Sequence, residues 1–169
     1  MAIRDAFLPE FDYEMALTRK MLERVPEGDP DWKPHQKSMT ISRLAGHLAD
    51  ISGYAVMVIQ EESRDVAPPG GSKRQPTVMT SRAQLLEVFD KNVAAARAAI
   101  AGASDEHLGK MWRLHAGEKT IFNMPRAGVL RAMILSHGIH HRAQMGVYLR
   151  LNDVPVPSIY GPSADEGLA

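Results

Sequence analysis

The chain of 169 residues contains no cysteine. That excludes disulfides, thiolate-ligated zinc or iron–sulfur clusters, and a thiol nucleophile supplied by the protein itself. Any thiol chemistry would need sulfur from another molecule. There is no charge of one sign either: twenty Lys and Arg balance twenty Asp and Glu. A nucleic-acid binder would carry a basic excess, so none is expected as a partner. No apolar run approaches 18 residues, which argues against a membrane span. The first residues, MAIRDAFLPEF, lack the basic-then-apolar pattern of a secretory signal, so a cytoplasmic protein is expected. Aromatics make up only 6% of the chain. What is present in unusual density is histidine, with three of the seven at His137, His140 and His141.

One domain spanning 1–169 is the expectation from length. Helical stripes organise it. Phe7, Leu8, Phe11, Met15, Leu22 and Val25 recur at spacings of three and four over about 5–25, before Pro26, Gly28 and Pro30 end the pattern. A second helix is predicted over about 40–62, capped by Ser38 or Thr40, with Ile41, Leu44, Leu48, Ile51, Ala55 and Val58 on its buried face. A third begins at Ser81, three residues before Gln84 in a capping-box pattern, and runs to Gly102. Ser104 to Gly109 suits a short extra turn, and 112–122 a small hairpin or an irregular excursion around Ala116-Gly117. The fourth helix is predicted from Pro125, at its first position, to about Asn152.

Between the second and third helices lies a loop over 63–79 rich in Pro and Gly. The second helix would be about 34 Å long, whereas seventeen extended residues reach on the order of 55 Å. The loop can therefore cross the molecule and leave the two helices parallel. Four long helices around one core give an all-α, four-helix-bundle expectation.

The chemistry lies with the histidines. His137 and His141 are four residues apart, hence one turn apart on one helical face, where two imidazoles can converge on an ion. His47 interrupts the apolar stripe of the second helix between Leu44 and Leu48, and is a third candidate. Three neutral imidazoles suit a divalent transition metal, Zn or Ni first, with Mn, Fe or Co also compatible, and leave a coordination position open. The same spacing also suits histidines that simply pack, each satisfied by one hydrogen bond. A zincin motif is excluded because Gly138 occupies the position of its glutamate. The Glu-x-x-His pairs of di-iron bundles are missing at the helix centres, which leaves a mononuclear site.

Around these ligands, Asp50 could orient His47 or act as a catalytic base, or be a solvated helix residue. His140 could replace a ligand or stand behind one. Gln144 and Tyr148 continue the His137/His141 face and could line a pocket, with packing the stronger reading for Tyr148. Arg142 and Arg150 read as surface charges, either able to hold an anionic substrate, and His35, His107 and His115 as surface residues. The ten methionines read as core filler.

Two stretches, WKPHQKSMTISRLAGHLADI and ILSHGIHHRAQMGVYLRLNDVPVPSIYGPSADE, resemble the DinB-like superfamily of metal-dependent helical proteins. That superfamily includes bacillithiol-transferase and mycothiol-dependent isomerase relatives. The resemblance implies an up-down-down-up four-helix bundle, with the crossover between the second and third helices. It also implies a homodimer and a divalent metal held by His47, His137 and His141. The resemblance implies a site more than a reaction. From the site and the missing cysteines, the activity expected is a metal-dependent one that activates a low-molecular-weight thiol, or water, for transfer to a small electrophile, as a thiol transferase or a hydrolase does. The rival reading is a non-catalytic, stress-associated dimer whose metal is structural or buffered. A third is a helical interaction module whose histidines only pack.

Overall fold

The structure, a computed structural model, describes residues 2–70 and 77–167. Helix α1 (Ile3–Leu22) buries Phe11, Met15, Leu17, Met21 and Leu22. Helix α2 (Ile41–Ile51) starts where Thr40 Oγ1 accepts the Arg43 amide at 3.3 Å, so Thr40 is the cap. The predicted second helix does not continue unbroken to Glu62. It stops at Ser52-Gly53 and resumes as α3 (Tyr54–Gln60). The break has a physical account. The Gly53 amide turns to the Asp50 carbonyl at 3.0 Å, and the Asn92 side chain donates to the freed Ala49 carbonyl at 2.9 Å. The end of α3 is held by the buried Arg126, which donates to the Val58 and Glu61 carbonyls, a cation where a helix exposes its unpaired oxygens.

The all-α expectation needs correction, because the mostly helical fold carries a small three-stranded sheet. Strand β1 (Ser63–Asp65) runs parallel to β2 (Met111–Ala116), which pairs antiparallel with β3 (Lys119–Pro125). The hairpin matches its prediction and turns at Gly117, whose φ of +56° favours glycine. Its Trp112 is fully buried and packs near Phe122, 6.1 Å between ring centroids. β1 lies in the stretch read from sequence as loop 63–79: three residues are too few to show a strand period. Part of that crossover, 71–76, lies outside the described residues.

Helix α4 (Arg82–Gly102) begins as predicted, with Ser81 Oγ accepting the Gln84 amide at 3.1 Å. Gln84 reaches back to the Thr80 amide instead of that of Ser81. A short turn, α5 (Asp105–Gly109), follows. The last helix is continuous but irregular: α6 (Arg126–Val129), a wider π-helical segment (Leu130–Ser136), then α7 (His137–Leu151). Pro125 caps it in place of being its first residue.

Helix α1 packs on α4 and α7, and α2 packs on the same two. Core side chains come from all four, among them Phe11, Leu44, Phe89 and Met145, and from the π segment, as Leu130. The tail beyond α7 returns over α1 and α7, tied by Asp165 to Arg150 and by Glu166 to Arg24. No helix among the described residues is long and apolar enough to cross a membrane.

Candidate metal centre

The contact between α2 and α7 brings His47 against His137 and His141. The Nε2 atoms of His47 and His137 are 3.4 Å apart, and those of His137 and His141 are 2.8 Å apart. One ligand nitrogen from each residue lies within 4.8 Å of the others. The rings meet at steep angles, 64° between His47 and His137 and 80° between His47 and His141, so they converge edge-on and do not stack. Among the described residues this is the group of side chains able to hold a metal ion.

Helical geometry explains the placement. His47 occupies the seam of α2 between buried Leu44 and Leu48. The π segment ends immediately before His137, and such insertions re-aim the turn that follows. The Met133 backbone hydrogen-bonds His137.

Burial shifts all three imidazoles toward the neutral form. Burial, followed by the neighbouring His141 and His137, lowers the pKa of His47 from 6.5 to about 4. Burial is also the first cause for His137, followed by His141 and His140. For His141 burial again dominates, opposed by the hydrogen bond to Gln144. Neutral imidazole is the form that ligates metal. Tetrahedral ligands at zinc–nitrogen distances of about 2.0–2.1 Å stand about 3.3–3.4 Å apart. The His47–His137 separation of 3.4 Å meets this, and the His137–His141 pair, at 2.8 Å, needs to open by about half an ångström. The residues fit a divalent ion.

The remaining candidates separate clearly. Asp50 is buried, and its carboxylate accepts the Thr77 amide at 3.1 Å and the Thr77 hydroxyl at 2.9 Å. Gln144 Oε1 lies 2.7 Å from His141 Nδ1. His140 is exposed, its ring 4.9 Å from that of His141. Tyr148 packs, edge-on to Trp32, and donates to the Met39 carbonyl at 3.1 Å.

The surface reading of Arg142 is overturned. It is 2% exposed and bound to Glu14, Thr18 and Tyr160. Arg150 is a surface charge, paired with Asp165. His35 is exposed, but His107 and His115 are half-buried, each at 2.8 Å from a carbonyl, those of Ile59 and Gly117. Tyr54, whose ring stands 6.5 Å from that of His47, carries no signal in the sequence pattern. Gly46 and Thr77 also lie beside the centre, in close contact with each other. Glycine one residue before a ligand histidine is the available signal for a close approach.

A helical bundle with three imidazoles converging from two helices defines the class of protein. Residues 10–145 match the model of the DinB superfamily, and the chain belongs to that superfamily. It is 26% identical over 166 residues to the uncharacterized protein YrdA of Bacillus subtilis (strain 168), covering 96% of this chain and 90% of that protein. Its fold is similar to that of a DinB-like protein from Bacillus cereus ATCC 10987, with a TM-score of 0.68 and 22% identity over 92% of this chain and 97% of the other. It is similarly close to the DinB-like protein YjoA of Bacillus subtilis, with a TM-score of 0.67 and 19% identity over 90% and 96% of the two chains.

Proposed function

We propose that the protein is a divalent-metal-dependent enzyme acting on a small molecule, with His47, His137 and His141 as the ligands. The observation that carries this reading is the convergence of three imidazole nitrogens within 4.8 Å, with no fourth His, Cys, Asp or Glu grouped with them among the described residues. A structural zinc site is closed by four protein ligands, whereas three leave a position for a reactant. That difference favours a reactive centre over the buffered or structural ion of the rival reading. A divalent ion there would lower the pKa of a bound thiol or water and so supply a nucleophile near neutral pH.

The protein's own part is to keep the three rings neutral and aimed at one point, on helices that the core holds rigid. The lack of cysteine favours an external low-molecular-weight thiol as the nucleophile, transferred to a small electrophile. Zn or Ni is the preferred ion. We also take the bundle to run up-down-down-up. The packing of α1 and α2 on the same two helices, α4 and α7, sets them at opposite corners, which is compatible with that order. A homodimer is the assembly proposed with it.

The test is elemental analysis of untagged protein purified without a metal column, beside His47→Ala and His137→Ala. About one divalent ion per chain is expected, lost in both variants while circular dichroism stays helical. The metal-loaded protein should then join thiols to model electrophiles. Wild-type protein that takes up neither Zn²⁺ nor Ni²⁺ on reconstitution would overturn the proposal.

A further inference from the structure

A neutral imidazole has one N–H, and which nitrogen carries it decides whether the ring can ligate through the other. For His141 the deciding neighbour is Gln144, one turn further along α7, with Oε1 at 2.7 Å from Nδ1. A carboxamide oxygen only accepts hydrogen bonds, so this contact calls for the proton of His141 on Nδ1. Its Nε2 is then left with a lone pair, and this is the atom that faces His137 Nε2 at 2.8 Å. His137 is braced in a parallel way, through a hydrogen bond to the Met133 backbone that favours its protonated form, as one donated by the ring does. The Nε2 atoms of the two rings are thereby turned toward one another, 2.8 Å apart.

We propose that Gln144 is a positioning residue of the centre, holding His141 as its Nδ1–H tautomer with Nε2 aimed at the ion. This inference rests on the metal reading above. Partners behind a ligand histidine of this kind are usually carboxylates or backbone carbonyls. A carboxamide gives the same geometry without negative charge.

The experiment compares wild type with Gln144→Leu, which removes the acceptor, and Gln144→Glu, which restores it. Gln144→Met, nearer in length, repeats the deletion if Leu disturbs packing. Long-range ¹H–¹⁵N spectra of the metal-free proteins read the His141 tautomer, and competition with a chelating dye reads the Zn²⁺ affinity. The expected result is an Nδ1–H tautomer in wild type and Gln144→Glu, lost in the deletions together with about 10–100-fold in Zn²⁺ affinity. A wild-type His141 protonated on Nε2 would overturn the inference. So would deletions that keep both the wild-type tautomer and the wild-type affinity; the metal reading would survive that second result. Wild-type protein that binds no Zn²⁺ at all overturns the metal reading and this inference with it.

Discussion

Arg142 Nη2 on α7 lies 2.6 Å from Glu14 Oε2 on α1, and the two side chains are only 3% and 7% exposed. The pair is completed on every side. Arg142 Nη1 donates to the Glu14 carbonyl at 2.9 Å and to Thr18 Oγ1 at 3.1 Å. The Tyr160 hydroxyl donates to Glu14 Oε2 at 2.7 Å. Burial and the Glu14 carboxylate push the Tyr160 phenol up to about 12, so it remains a donor at neutral pH. Removing one partner would leave a guanidinium buried without its charge partner. Glu14→Ala is expected to destabilise the protein by about 3–5 kcal/mol, lowering Tm by on the order of 10 °C. Tyr160→Phe, which removes the hydrogen bond donated to Glu14 and the one accepted from Arg142, should cost about 1.5–3 kcal/mol. Urea denaturation of the three proteins checks both numbers, and a Glu14→Ala protein as stable as wild type would show the pair to be dispensable.

The three site histidines give the metal-free protein an acid sensitivity of definite sign. Their folded pKa values lie below the unfolded reference of about 6.5, with His47 near 4 because of burial. In that window the unfolded chain binds more protons than the folded one, so stability falls as pH falls. The contribution is complete above about pH 6.5 and is lost progressively as pH drops through the folded value near 4. Denaturation of EDTA-treated protein across this range should show the loss, and His47→Gln should flatten it. Zn²⁺ should oppose it, since binding selects the neutral rings. Equal pH slopes for wild type and His47→Gln would contradict the assignment.

These features differ in how far the sequence discloses them. The four-residue spacing of His137 and His141 is read directly through helical periodicity, and His47 stands out as a polar break in an apolar stripe. Both signals are local. Arg142 looks like a surface charge because its partner Glu14 is 128 residues away, on another helix. The break at Gly53 is equally hidden, because the group that satisfies the freed Ala49 carbonyl is Asn92 on α4. β1 is three residues long and exists by pairing with β2, nearly fifty residues on. The π segment shifts the phase of the last helix, yet its sequence, LRAMILS, reads as ordinary helix. Side-chain burial and backbone irregularity depend on tertiary partners, and a single chain pattern does not encode them within any one window.

Asn92 offers a direct test of the broken helix. Its amide nitrogen donates 2.9 Å to the Ala49 carbonyl, two residues after His47 and within buried surroundings. Asn92→Ala would leave that carbonyl unpaired, at a cost of about 1–3 kcal/mol. Asn92→Asp would place an acceptor against an acceptor and should be at least as costly. Chemical denaturation of both variants decides the matter. If Asn92→Ala is neutral, the Ala49 carbonyl has another partner or reaches water, and the account of the break fails.

Gly46 stands directly before His47 on α2. A Cβ at this position would lie 2.0 Å from the Thr77 carbonyl oxygen and 2.7 Å from its carbon, both backbone atoms. The same Thr77 is anchored by two hydrogen bonds to Asp50, one turn further along α2. An alanine here must therefore displace either the Thr77 segment or α2 itself, at a cost of about 1–3 kcal/mol. Because α2 carries His47, Zn²⁺ affinity should fall as well. Gly102, the last residue of α4, is the matched control: it is exposed, and a Cβ there meets nothing within 4 Å. Gly102→Ala should instead stabilise by about 0.4–1 kcal/mol through the unfolded chain and leave Zn²⁺ affinity unchanged. Measured together, the two substitutions separate the steric demand at Gly46 from the general effect of replacing a helical glycine. If Gly46→Ala behaves like Gly102→Ala in both stability and Zn²⁺ binding, Thr77 does not press against α2, and Asp50 is not needed to seat it.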